Sequence, residues 1–208
     1  MKVPIYVFLI GLLVSGCATS FEDARGVSPV GRIYYTRVNI WYEYPDKISS
    51  TNYVVGTFIP LGTGVKILGV SRDGIRFTRP DRDISFAILF VRKHNPISLR
   101  QLFDRYFSDA NVLGTHGEFH RLTAQEQESI VNGKVFVGMS KNAVLMSLGY
   151  PPAHRTPNLN SDIWLYWGRR VVFSVCFQND LISKVDTEIT ASLFETRSQV
   201  IDESIIGQ

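Results

Sequence analysis

The sequence predicts an α+β protein assembled from two unlike halves. Residues 32–91 break into five short β-patterned runs with no helical period, which points to a small barrel or sandwich. Residues 120–186 read in the order α-α-β-β-β, which points to a two-layer module of helices on a sheet. Between them, residues 97–107 carry one apolar stripe at helical spacing.

The first half starts with residues 32–42, rich in Tyr, Val, Ile and Trp. Runs at 53–59, 65–70, 75–78 and 84–91 follow, each bounded by Gly, Pro, Asp or Asn. Asp73-Gly74 between two apolar runs predicts a hairpin. The β domain is therefore expected over 31–95. Pro96 closes it, and a connector helix is expected within 96–110. Ser98 is its N-cap with Gln101 at the third helical position, and Ile97 can staple against Leu102. Leu99, Leu102, Phe103, Tyr106 and Phe107 share one face, expected to pack on one or both neighbours.

The second half is punctuated as clearly, and its module is expected over 115–190. Thr123 with Glu126 forms a capping box, and Asn132-Gly133 closes that helix. Ser140 caps the next helix, Val144, Leu145 and Leu148 form its buried face, and Gly149 ends it before Pro151-Pro152. Strands are expected at 163–167, 171–177 and 181–185, with turns at Gly168 and Asn179-Asp180. Residues 191–208 lack a clear period and are expected to be a mobile tail.

The N-terminus has a different character. Lys2 precedes an apolar run, residues 5–14, that is too short to span a bilayer permanently. The run closes on Val14-Ser15-Gly16-Cys17, which resembles a bacterial lipobox. That resemblance implies a signal peptide over 1–17, cleavage before Cys17, and acylation of the Cys17 thiol and amine with palmitate-type chains. Each buried CH₂ contributes roughly 0.8 kcal/mol, so several chains anchor a protein durably. Residues 18–30 then read as a tether. Ala18 follows the cysteine, without the Asp that signals inner-membrane retention in enteric bacteria, so the expected location is the outer membrane, facing the periplasm.

Composition sets further bounds. With 45% hydrophobic and 20% charged residues, the chain can build a core, and a net charge of +3 argues against nucleic acid as a partner. Arg72, Arg76, Arg79 and Arg82 are interleaved with Asp73, Asp81 and Asp83, the pattern of a solvated surface. Once Cys17 is acylated only Cys176 remains, so no internal disulfide is expected, and Cys176 reads as a small apolar filler.

Two resemblances refine the fold. Gly133-Lys134-Val135, Gly138-Met139-Ser140-Lys141, the stretch VLMSLGYP at 144–151 and Trp164-Leu165-Tyr166-Trp167 resemble the SmpA/OmlA (BamE-like) family of small outer-membrane lipoproteins. The resemblance covers about residues 120–186 and implies two helices against a sheet, with a role among outer-membrane assembly proteins. This chain differs in carrying a β domain between anchor and module. Val38-Asn39-Ile40-Trp41, Gly56-Thr57-Phe58-Ile59-Pro60 and Gly62-Thr63-Gly64-Val65-Lys66-Ile67 resemble bacterial SH3-like repeats. Trp41 stands where those repeats carry Arg, so their peptidoglycan binding is not carried over residue for residue.

Chemistry is sparse. His116 and His120 have metal-like i, i+4 spacing only on a helix, and Gly114 and Gly117 argue against one. No nucleophile elbow, phosphate-binding glycine loop or Cys/His pair occurs. No enzyme activity, cofactor or metal is expected. Trp164 and Tyr166 project from one face of their strand, and an aromatic face left uncovered would suit a protein partner. The expected function is binding or scaffolding of other envelope components at a membrane surface, in outer-membrane assembly or maintenance. One alternative is a peptidoglycan-binding lipoprotein acting through the SH3-like domain. The other is a metal-dependent enzyme using His116 and His120.

Overall fold

A computed structural model describes residues 21–23, 25–82 and 84–186, so the leader, Cys17 and the tail expected at 191–208 lie outside the described residues. Among the described residues no helix is long and apolar enough to cross a membrane. The chain is α+β, as expected.

The first half contains β1 (Ile33–Thr36), β2 (Ile40–Tyr42), β3 (Ile48–Ser49), β4 (Thr57–Ile59), β5 (Gly64–Ser71), β6 (Gly74–Thr78) and β7 (Ser85–Leu89). Helix α1 (Leu99–Tyr106) and the short β8 (Phe107–Ser108) follow. Six of these strands form a curled sheet, a half-barrel in the order β3-β7-β6-β5-β1-β8, while β2 and β4 pair as a separate ribbon. All pairs are antiparallel except β3 with β7. The hairpin expected near Asp73 joins β5 to β6, with Ser71 opposite Gly74.

The run expected as one strand at 32–42 is two. It breaks at 37–39 because those backbone groups leave the sheet: Arg37 N–H donates to Tyr106 O at 2.9 Å and Asn39 N–H to Met146 O at 2.9 Å. Of the run at 53–59, only β4 is a strand. β3 and β8, two residues each, carry no sequence period and were not expected.

Helix α1 has the capping box read from sequence, with Ser98 Oγ accepting from Gln101 N–H at 3.1 Å and Gln101 Oε1 from Ser98 N–H at 2.8 Å. Its stripe serves a single core. Leu102, Phe103 and Tyr106, with Phe107 beyond them, pack among Tyr34, Ile67, Ile75, Phe77 and Ile88.

The tether expected at 18–30 is docked at individual points of its described part, although most of those residues are exposed. The Phe21 ring lies 5.4 Å from the Phe103 ring, centroid to centroid. Asp23 is 4% exposed and accepts a 2.6 Å bond from the Tyr34 hydroxyl. That hydroxyl, against the cost of burial and with help from the Arg25 guanidinium, holds the Asp23 carboxyl well below the usual carboxylate range.

The second half contains α2 (Ala124–Val131), α3 (Lys141–Leu148), β9 (Ile163–Trp167), β10 (Val172–Gln178) and β11 (Leu181–Asp186). The strands form an antiparallel sheet in the order β11-β10-β9. Asn179 and Asp180 both take positive φ (53° and 62°) in the two-residue turn between β10 and β11. The capping box of α2 is present. Its Glu126 reaches further than a cap requires, accepting from Ser140 N–H at 2.9 Å and Ser140 Oγ–H at 2.6 Å, and so ties the start of α3 to the start of α2. Burial pushes the Glu126 carboxyl upward, but these bonds and those from Thr123 outweigh it and hold it below its ordinary value.

The face of β9 expected to meet a partner meets the helices instead. Trp164 is 1% exposed and Tyr166 0%, packed with Ile130, Met139, Val144, Leu148 and Val175. Their polar ends are satisfied internally: Trp164 Nε1–H donates to Leu159 O at 3.2 Å and Tyr166 O–H to Gly149 O at 2.9 Å. They are core residues and present almost no surface to a partner.

The two cores meet along a seam of buried polar groups at the C-terminal end of α3. Such an end leaves carbonyls without intrahelical partners. Here the first half supplies the donors. Met146 O accepts from Asn39 N–H, and Ser147 O accepts from Asn39 Nδ2–H at 3.2 Å and Trp41 Nε1–H at 3.0 Å. Leu148 O and Tyr150 O each accept from Asn52 Nδ2–H at 2.8 Å. Asn39 Nδ2–H also donates to Ile130 O at 2.7 Å, and Asn39 Oδ1 accepts from Leu61 N–H at 2.9 Å. Asn39 is 1% exposed and Asn52 5%. Gly149 ends α3 with φ 78°, and a Cβ there would lie 2.9 Å from Asn52 Nδ2.

Candidate functional site

Beside this seam the surface opens into a cleft of about 380 Å³. Its walls come from β2 and the segment after it (Trp41, Glu43, Tyr44, Lys47), from Tyr53, and from the β9–β10 turn (Gly168, Arg169, Arg170).

Trp41 sits on β2 opposite Phe58 of β4, the rings 4.7 Å apart, with its indole N–H fixed to Ser147 O. A Cβ on Gly133, which closes α2, would lie 2.7 Å from the Trp41 ring, so glycine lets the second half approach this tryptophan. Tyr53 forms an isolated parallel bridge with Trp167 and stacks on it with centroids 6.1 Å apart. Trp167 is also flanked by the His154 ring at 6.2 Å and the Arg155 guanidinium at 5.7 Å. At the rim, Tyr44 is 65% exposed and Tyr53 43%.

Charge in the cleft is mixed but mostly positive. Arg169 pairs with Glu43 across the seam, joining the β9–β10 turn to the segment after β2. Arg170 holds positive φ (61°), which turns its side chain out of the regular sheet geometry, and it is exposed. Among the described residues no carboxylate lies within ion-pair distance of Lys47 or Arg170. The site thus offers exposed tyrosines, a fixed tryptophan and two unneutralised cations over a rigid base. Tyrosine, tryptophan and arginine are enriched at protein interfaces, and the positive charge of Lys47 and Arg170 favours a partner bearing carboxylates.

The residues singled out from sequence lie elsewhere. Trp164 and Tyr166 are in the core, as described. His116 lies in the segment between β8 and α2, and His120 in a 3-10 turn (Glu118–Arg121), where His120 Nε2 contacts Leu113 O at 3.1 Å. They are not on one α-helical face, and among the described residues no group of three His, Cys, Asp or Glu side chains is gathered to hold a metal. Cys176 is half-buried on β10. Arg79 and Arg82 pair with Asp81 on the surface, the solvated pattern expected.

The cleft residues were missed, although a signal existed. Trp41-Tyr42-Glu43-Tyr44-Pro45 sets three aromatics next to a proline just past the β run at 32–42, of which only Trp41 enters a sequence reading beyond the β pattern, through the SH3-like resemblance. Their meeting with Tyr53 and Arg169-Arg170 depends on long-range pairing that no local period reveals. None of the protein-family models, curated proteins or solved structures compared with this chain matches it.

Proposed function

We propose that this is a lipid-anchored envelope protein that binds another envelope protein through the seam cleft. The observation that carries the reading is the cleft itself, where exposed Tyr44 and Tyr53, Trp41, Lys47 and Arg170 converge on a base held by buried hydrogen bonds. The anchor in this reading is acylated Cys17, from the lipobox pattern at 14–17, and the location is the periplasmic side of the outer membrane. The SmpA/OmlA-like pattern and the α-α-β-β-β order of the second half support a role beside outer-membrane assembly or maintenance. The half-barrel of the first half supports an SH3-like reading of that region. No catalytic step is proposed.

The test is affinity purification of the acylated chain from native membranes, comparing wild type with Tyr44→Ala and Arg170→Ala. Both side chains are exposed, so stability should change by no more than about 0.5 kcal/mol. Loss of the same co-purifying protein in both variants, with unchanged melting, is the expected result. Equal recovery in wild type and variants would remove the cleft as the binding site.

A second reading has one observation in its favour: flat aromatic rings beside free cations also suit a glycan strand carrying carboxylates. Sedimentation of the protein with purified peptidoglycan, lost in the same two variants, would favour that reading over a protein partner.

A further inference from the structure

The docked residues Phe21 and Asp23 constrain how the protein meets the membrane, an inference that rests on the proposed acylation. Only four residue steps separate Cys17 from Phe21. Fully extended chain covers at most about 3.6 Å per residue, so Phe21 lies within about 14 Å of the acylated residue. A body of this size has a radius of gyration of about 15 Å, so such a short link selects one side of it.

Phe21 is not a loose point of attachment. Its ring packs on Phe103 and lies under the Arg100 guanidinium, 5.7 Å from the centroid. Two residues on, Asp23 is buried against Tyr34 and bonded to Arg25, which pairs in turn with Asp109 at 2.7 Å. Arg37 donates to Asp104 O at 3.0 Å and lines, with Asp23, Arg25, Asp104 and Asp109, a hollow of about 330 Å³. Around Phe21 the arginines Arg25, Arg37 and Arg100 therefore sit among the carboxylates of Glu22, Asp23, Asp104 and Asp109, a mixture of both signs close to balance.

We infer that Phe21 and Asp23 form an inner anchor that turns the α1–β8 side of the first half toward the membrane, against zwitterionic phospholipid headgroups. The ammonium and phosphate groups of such a headgroup find both carboxylates (Glu22, Asp109) and guanidiniums (Arg25, Arg100) on this surface. A face rich in one sign would call for anionic lipid, and this one does not. Orientation follows from the short covalent link and the docked ring, so it should be nearly independent of salt.

The experiment uses the full acylated chain with Cys176→Ser, carrying one fluorophore on Ala110→Cys or on Asn160→Cys. Ala110 is exposed beside Asp109. Asn160 is exposed beside Lys141 at the far end of α3, about 12 Å along the helix from the seam. The protein is placed in phosphatidylethanolamine–phosphatidylcholine vesicles containing headgroup-nitroxide lipid, and mass spectrometry of the N-terminal peptide reads the state of Cys17. The expected result is acylated Cys17, several-fold stronger quenching at position 110 than at 160, and little change with salt. Phe21→Ala with Asp23→Ala should reduce the contrast while leaving acylation intact. Acylated protein with equal quenching at both positions, or stronger quenching at 160, would overturn the orientation alone. An unmodified Cys17 would overturn the anchor and the orientation together.

Discussion

Replacing Asn39 by Ala removes three hydrogen bonds at the point where the two cores touch. Leu61 N–H loses its acceptor, and Ile130 O and Ser147 O each lose one donor, Ile130 O retaining Gly133 N–H and Ser147 O retaining Trp41 Nε1–H. An orphaned buried donor costs about 1–3 kcal/mol and each further lost bond about 1 kcal/mol, so the expected loss is roughly 3–5 kcal/mol. At this chain length 1 kcal/mol corresponds to about 2–4 °C, so Tm should fall by about 10 °C. Calorimetry and urea titration followed by tryptophan fluorescence measure both quantities. Asn39→Asp, which keeps the acceptor for Leu61 but points a carboxylate at two carbonyls, should be at least as damaging at neutral pH. A fall below about 2 °C for Asn39→Ala would refute the claim that this residue joins the halves.

Trp164→Ala should cost about 3–5 kcal/mol, because the side chain is 1% exposed and central to the second core; a near-native melt would return that residue to the surface. Gly149→Val should destabilise more than Ser140→Ala, since φ is 78° at Gly149 and the new Cβ lies 2.9 Å from Asn52 Nδ2, whereas Ser140→Ala loses a cap worth about 1 kcal/mol and a bond to Glu126. The reverse order in thermal melts would contradict the geometry. Glu126 adds a pH dependence: its carboxyl is held lower in the folded than in the unfolded chain, so its contribution is present above the ordinary carboxylate value and is lost as pH falls through the lowered one. Wild type should lose more stability than Glu126→Gln between about pH 7 and pH 3. Equal losses would show that the bonds to Ser140 and Thr123 are not decisive.

What could be read from sequence was local. Ser98 with Gln101 and Thr123 with Glu126 sit three residues apart, and both capping boxes are present. Gly149 and the Asn179-Asp180 turn follow from backbone chemistry at single positions. The seam was invisible because its partners lie 91 residues apart for Asn39 and Ile130, and 106 for Trp41 and Ser147. The inward face of β9 was ambiguous for a different reason. Both sets of alternate residues, Trp164 and Tyr166 against Ile163, Leu165 and Trp167, are apolar, so period alone does not choose the buried one. The candidate cleft was hidden by the same long-range pairing, since Tyr44 and Arg170 meet only after both halves have folded.

The proposal that a partner is bound in the seam cleft can be decided by crosslinking. A photoreactive amino acid placed at Tyr44 in the acylated chain, in living cells, tests it most directly, with Val137 as the comparison because it is equally exposed (65% each) and does not line the cleft. The expected result is one discrete crosslinked product from position 44, none from position 137, and loss of the product when Arg170→Ala is added. Equal crosslinking from both positions, or a product from 44 that survives Arg170→Ala unchanged, would contradict it.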